Sequence, residues 1–111
     1  MNPIQLANEL GWKVVCSGEG ASREIRGVYC CDLLSIVMGR AKADDAWFTV
    51  MANVNTVAVA VLADVACVIL AEGMQLDADS LQKAEEQGVC VLAAELPVFE
   101  ASRALADRLG L

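Results

Sequence analysis

Seven residues of this chain stand where a small ligand could be held: Asp32, Ser35, Thr49, Asn53, Asn55, Glu72 and Gly73. Their two carboxylates, two hydroxyls and two amides form a set able to hydrogen-bond a nucleotide or another small metabolite. Each lies at or just beyond the end of an apolar run of strand character. VYCC precedes Asp32, WFTV contains Thr49, CVIL precedes Glu72, and VCVL precedes a further carboxylate, Glu95. In open α/β sheets, ligands bind beyond the carboxyl ends of the strands. If these strands are mutually parallel, the seven residues share one edge. Helices starting near Asp32, Asn55 and Asp77 would add backbone N–H groups suited to an anion. The basic residues nearest in sequence are Arg40 and Lys42, so a strongly anionic ligand finds little cationic help. Each candidate also has a structural role open to it. Asp32, Asn53 and Asn55 suit helix caps, Thr49 a strand end, Glu72 a solvated loop, and Gly73 a turn with positive φ.

Catalytic chemistry has little to stand on. The chain contains no histidine, which removes His-based acid–base catalysis, Ser-His-Asp chemistry and His-ligated metal sites. Asp32 and Glu72 could be drawn as an acid–base pair, but no motif fixes their geometry. With an asparagine they would suit Mg²⁺ or Ca²⁺, yet the spacing matches no calcium loop. The Gly18-Glu19-Gly20 run lacks the lysine and spacing of a phosphate loop. No catalytic residue, metal ligand or cofactor is therefore assigned.

The five cysteines (Cys16, Cys30, Cys31, Cys67 and Cys90) are odd in number and form no C-x-x-C. They sit in or beside runs that read as buried strands, as expected for reduced structural thiols in the cytoplasm. Their spacings match no iron–sulfur pattern. The first residues lack the basic and apolar regions of a signal peptide. The apolar stretch from Val54 to Leu70 is too short and too polar to cross a bilayer. A formal charge of −7 makes a nucleic-acid partner a poor fit.

The elements that must position these groups can be read along the chain. With 111 residues, 57% hydrophobic and 21% charged, the sequence suits one folded domain over 1–111. A folded chain of this mass should expose roughly 5,900 Å². Asn2, Pro3 and Gly11 bracket a helix over 3–10. Strands are expected at Trp12–Cys16, Ile25–Cys30, Ala46–Val50, Ala66–Leu70 and Val89–Leu92. A second helix, capped by Asp32, should bury Leu34, Val37, Met38 and Ala41. A third, capped by Asn53 or Asn55, should bury Val54, Val57, Ala58, Val61 and Leu62. Its valine and alanine content suggests burial of both faces, inside the monomer or against a partner. A fourth opens on the acidic turn at Asp77 and Asp79 and ends at Gly88. The last, over 96–109, should bury Val98, Ala101, Leu105 and Leu109. Alternating short strands and helices predict a three-layer α/β/α sandwich around a mixed, largely parallel sheet of about five strands.

Four segments in order then resemble the DRTGG domain family. Gly27-Val28-Tyr29-Cys30-Cys31-Asp32-Leu33-Leu34-Ser35 is similar to its GxYxxDLLS signature. Trp47-Phe48-Thr49 and Asn53 to Ala60 resemble its hNxxAVA segment, Val68 to Gly73 its IIL-x-x-G, and Gly88 to Leu92 its GxxVL. The resemblance spans nearly the whole chain. It implies a fold like the N-terminal domain of HPr kinase/phosphorylase and a regulatory or dimer-forming role. Stand-alone members of this kind are associated with iron-only hydrogenase systems. The namesake Asp-Arg should fall near Ala52-Asn53 and is absent. Of the namesake Thr-Gly-Gly, only Gly73 remains, at Ala71-Glu72-Gly73. The expectation is a non-catalytic regulatory or scaffold domain, homodimeric, with a protein partner and a nucleotide-like ligand at the polar edge. The alternative is an accessory protein of an iron–sulfur redox, hydrogenase-type system.

Overall fold

The computed structural model describes residues 1–111. Helix α1 (Pro3–Leu10) leads into strand β1 (Lys13–Cys16). A single 3-10 turn (Glu19–Ser22) then precedes β2 (Gly27–Cys30), α2 (Leu34–Arg40) and β3 (Asp45–Thr49). The chain continues through α3 (Val54–Ala63), β4 (Cys67–Leu70), α4 (Ala78–Gln87), β5 (Val91–Ala93) and α5 (Val98–Leu109). The five strands lie in the order β1-β5-β4-β3-β2. β2 to β5 are parallel, and β1 pairs antiparallel with β5, so the sheet is mixed as expected.

Each crossover from β2 to β5 moves one place along the sheet. Successive crossovers of the same hand put their helices on the same face. Accordingly α2, α3 and α4 cover one side, packing Val37, Val57, Ala60 and Ala84 against Trp47, Val68, Leu70 and Val91. Helices α1 and α5 cover the other, packing Leu6, Ala101 and Leu105 against Phe48, Ile69 and Leu92. Adjacent strand residues thus feed opposite cores. That is why β3 and β4 are buried along their whole length, and why β4 reads as an unbroken apolar run. The exposed surface is 5642 Å², close to the size-based expectation. No helix is long and apolar enough to cross a membrane.

Local signals explain most boundaries. Asn2 and Gln5 form a reciprocal capping box at the start of α1, with Pro3 in its first turn. Asn53 caps α3, and Asp77 caps α4. Gly20 lies so close to Ala66 that a Cβ would come within 2.3 Å of that residue's carbonyl oxygen. The glycine run that fails as a phosphate loop therefore serves backbone packing.

Three readings of the sequence need correction. Asp32 does not cap α2; the cap position is Leu33, and no side chain bonds there. On α3, Val57 is buried as expected, but Val54, Ala58, Val61 and Leu62 face outward. The buried stripe is Thr56, Val57, Val59 and Ala60. On α2, Val37 is buried while Met38 is exposed.

Candidate functional site

The carboxyl ends of β2 to β5 form one edge, and the seven candidate residues lie along it in two groups. At the β2/β3 end, Asp32 replaces its expected capping role with a cross-strand one. Its Oδ1 accepts from Thr49 Oγ1 at 2.8 Å and from the Val50 N–H at 2.9 Å. Thr49 is fully buried, and its Oγ1 in turn accepts from the Met51 N–H at 3.1 Å. Thr56 Oγ1 donates to the Met51 carbonyl at 2.6 Å. Asn53 Oδ1 closes the series by accepting from the Asn55 and Thr56 N–H groups at 2.9 and 3.3 Å. Asp32, Thr49 and Asn53 thus belong to one hydrogen-bonded belt whose polar groups satisfy one another. Ser35 and Asn55 stand beside it, exposed, with side chains that bond to nothing within the chain.

At the β4/β5 end the turn after β4 places Glu72 and Gly73 in left-handed conformations, φ 61° and 70°. Their N–H groups donate to the Leu96 and Ala94 carbonyls at 2.9 and 3.1 Å. This ties the turn to the segment after β5. A Cβ at Gly73 would meet a Glu95 carboxylate oxygen at 2.7 Å, so the one retained namesake glycine leaves room for Glu95.

Here a cavity of about 550 Å³ opens, bounded by the α1–β1 turn, the 73–76 loop, α4 and Glu95-Leu96. Its walls are largely apolar, including Leu10, Trp12, Val15, Leu76, Leu81 and Leu96, with Lys13, Gln75 and Glu95 as its charged or amide groups. Trp12 is braced from behind by an edge-to-face contact with Phe48, ring centroids 6.1 Å apart. Of the seven candidates, only Gly73 lines this cavity. Glu95, noted at the same edge from the sequence, lines it as well; the wall from Leu10 to Val15 escaped sequence reading because β1 reaches this position only by pairing antiparallel with β5. Nothing local to Trp12-Lys13 signals that partner.

The opposite, amino edge is built for structure. Arg23 Nε and Nη2 donate to Asp44 Oδ1 at 3.0 and 2.5 Å. Its Nη1 donates to Asp64 Oδ1 at 3.0 Å and to the Val65 carbonyl at 3.1 Å. Burial alone would lower the guanidinium pKa, but the bonds to Asp44 and the charge of Asp64 outweigh it and raise it. Asp44 and Asp64 both have positive φ, so Arg23 pins the two turns that lead into β3 and β4. A smaller cavity of about 160 Å³ beside Arg23 is lined by the same clamp.

All five cysteines are free. Cys16, Cys67 and Cys90 are buried, as expected, whereas Cys30 is exposed and Cys31 half-buried. Burial, with Cys16 nearby, pushes the Cys90 thiol up to about 12, and burial drives Cys67 upward too. Such thiols are protonated and inert at neutral pH. No three His, Cys, Asp or Glu side chains converge as metal ligands would.

A family model described as the DRTGG domain matches residues 5–107. The chain belongs to the DRTGG domain family. No curated protein matches its sequence. Among solved structures, this DRTGG domain is similar to the CBS and DRTGG domains of the regulatory region of Clostridium perfringens pyrophosphatase, crystallised with its activator diadenosine tetraphosphate. The TM-score is 0.74 at 14% identity, over 94% of this chain and 45% of that one. At that identity the likeness shows the shared fold.

Proposed function

We propose that this DRTGG domain is a non-catalytic regulatory module that works as a homodimer in the cytoplasm. In this reading it takes a nucleotide-like ligand at the carboxyl edge and reports it to a protein partner. The observation that carries the proposal is the outer face of α3. The helix reads VNTVAVAVLA, without a single charged residue, although the chain carries a net −7. Its outward positions are Val54, Asn55, Ala58, Val61 and Leu62, and Leu62 is 69% exposed. The neighbouring α2 and its cap add exposed Leu33, Ile36 and Met38. Apolar patches beyond a few hundred Å² on a soluble chain mark contact surfaces. A copy carrying the same excess of acids associates where acids are absent, and this face meets that requirement. The small side chain of Ala58 lets two α3 helices approach closely around a two-fold axis, an isologous contact.

The regulatory part is supported by family membership and by the structural neighbour, whose CBS and DRTGG domains form a regulatory region bound to a dinucleotide activator. The candidate edge supplies exposed Ser35, Asn55 and Glu72 for such a ligand, with Asp32, Thr49, Asn53 and Gly73 shaping the loops that hold them. Free thiols suit a reducing compartment.

The test is molar mass by light scattering across a dilution series. The native chain should run as a dimer. Val61→Lys combined with Leu62→Lys should yield a folded monomer. A native monomer at high micromolar concentration, or a double variant that stays dimeric, defeats the homodimer.

A further inference from the structure

We infer that the cavity beside Gly73 binds a purine nucleoside carrying at most one phosphate, and that it rejects longer phosphate chains. The inference rests on the reading above that the carboxyl edge takes a nucleotide-like ligand. It assigns the ligand to a particular place and sets a limit on its charge.

The cavity volume of about 550 Å³ lies in the range of small-molecule sites. Its apolar wall includes an indole, Trp12, held in place by Phe48. Such a platform takes the face of a base. Gln75 offers a donor and an acceptor on one amide, the pattern that pairs with an adenine edge. Glu95 is an acceptor for an exocyclic amine or a ribose hydroxyl.

The charge limit comes from what the lining lacks. Lys13 is its only cation, and Glu95 stands in the same wall. The N–H groups of Glu72 and Gly73, in the turn at its rim, already donate to Leu96 and Ala94 and are not free to take an anion. One phosphate can pair with Lys13. Further phosphates would meet Glu95 and the field of a chain with net charge −7.

The experiment is titration of the intact chain with adenosine, AMP and ATP, followed by tryptophan emission and by backbone amide shifts. Trp47 is fully buried, so a change in emission on binding reports Trp12. Adenosine and AMP should bind saturably, and ATP should bind about tenfold or more weakly. Met74→Trp, at a position 41% exposed, should fill the cavity and weaken AMP by about tenfold without altering the melting temperature. Glu95→Gln should narrow the gap between AMP and ATP. Equal or tighter ATP binding, or shifts centred on Ser35 and Asn55, overturns the cavity assignment and leaves the broader ligand reading in place. No saturable binding at millimolar nucleotide overturns both. The homodimer is judged separately by mass.

Discussion

Helices α3 and α4 lie side by side on the same face of the sheet, each ten residues long. Both open on a side-chain cap, Asn53 or Asp77, and both close on a left-handed residue, Asp64 or Gly88. Their inner faces are interchangeable in kind: Thr56, Val57, Val59 and Ala60 against Ser80 and Ala84. Their outer faces differ sharply. α4 turns Asp79, Gln82, Glu85 and Glu86 to solvent, whereas α3 turns Val54, Ala58, Val61 and Leu62. A layer position asks only for an inner stripe. The outer stripe is free to record what lies beyond, and for α3 the proposed neighbour is a second copy of the chain.

The largest effects should separate the two sides of α3 itself. Val57→Asp buries a charge at a site 1% exposed and should cost about 4 kcal/mol, enough to abolish cooperative unfolding in a domain this small. Ala58→Asp, one residue on, should leave the fold intact and lower the molar mass to that of a monomer. If both variants unfold, the outer face is structural and the contrast with α4 collapses.

A smaller effect is expected where α3 is anchored to the sheet. Asp32→Ala leaves buried Thr49 and the Val50 N–H without their shared acceptor and should cost about 2 kcal/mol by urea denaturation. A capping residue of a seven-residue helix would cost less.

The two caps should respond differently to pH. Asn53→Ala should cost about 1 kcal/mol at any pH. The backbone and side-chain bonds from Ser80 hold the Asp77 carboxyl below its usual value. A lowered pKa stabilises the fold above the ordinary carboxylate range, and that share is lost as pH falls through the lowered value. Asp77→Ala should therefore destabilise α4 at neutral pH and progressively less in acid. Melting curves from pH 7 to 2.5 would show it. The smallest effect belongs to the solvated side: Glu86→Ala should change stability by less than about 0.5 kcal/mol and leave the mass unchanged.

Much of this fold was legible in the sequence because its strands are short apolar runs punctuated by glycine, asparagine and aspartate. The resemblance at Gly27 to Ser35 pointed to the right family. The buried face of α3 is hard to read from sequence for a specific reason. With valine and alanine on every side, periodicity has no polar contrast from which to take its phase. Asp32 reads as a cap because a carboxylate before a helix suits one, while its partners, Thr49 and Val50, lie 17 and 18 residues on. The candidate site was half legible. Its edge followed from the parallel strands, but the cavity wall from Leu10 to Val15 depends on long-range pairing that no local signal carries.

The position of β1 has a consequence for how the chain comes together. The strands β2 to β5 are laid down in the order in which they stand, each beside the one before it. They can therefore assemble as they leave the ribosome. β1 emerges ahead of them all and pairs only with β5, whose first residue is Val91. At about 5–20 residues per second, it waits several seconds for its neighbour. Until then β1 has no strand to pair with, and a chaperone acting during synthesis should bind the Trp12-to-Val15 segment.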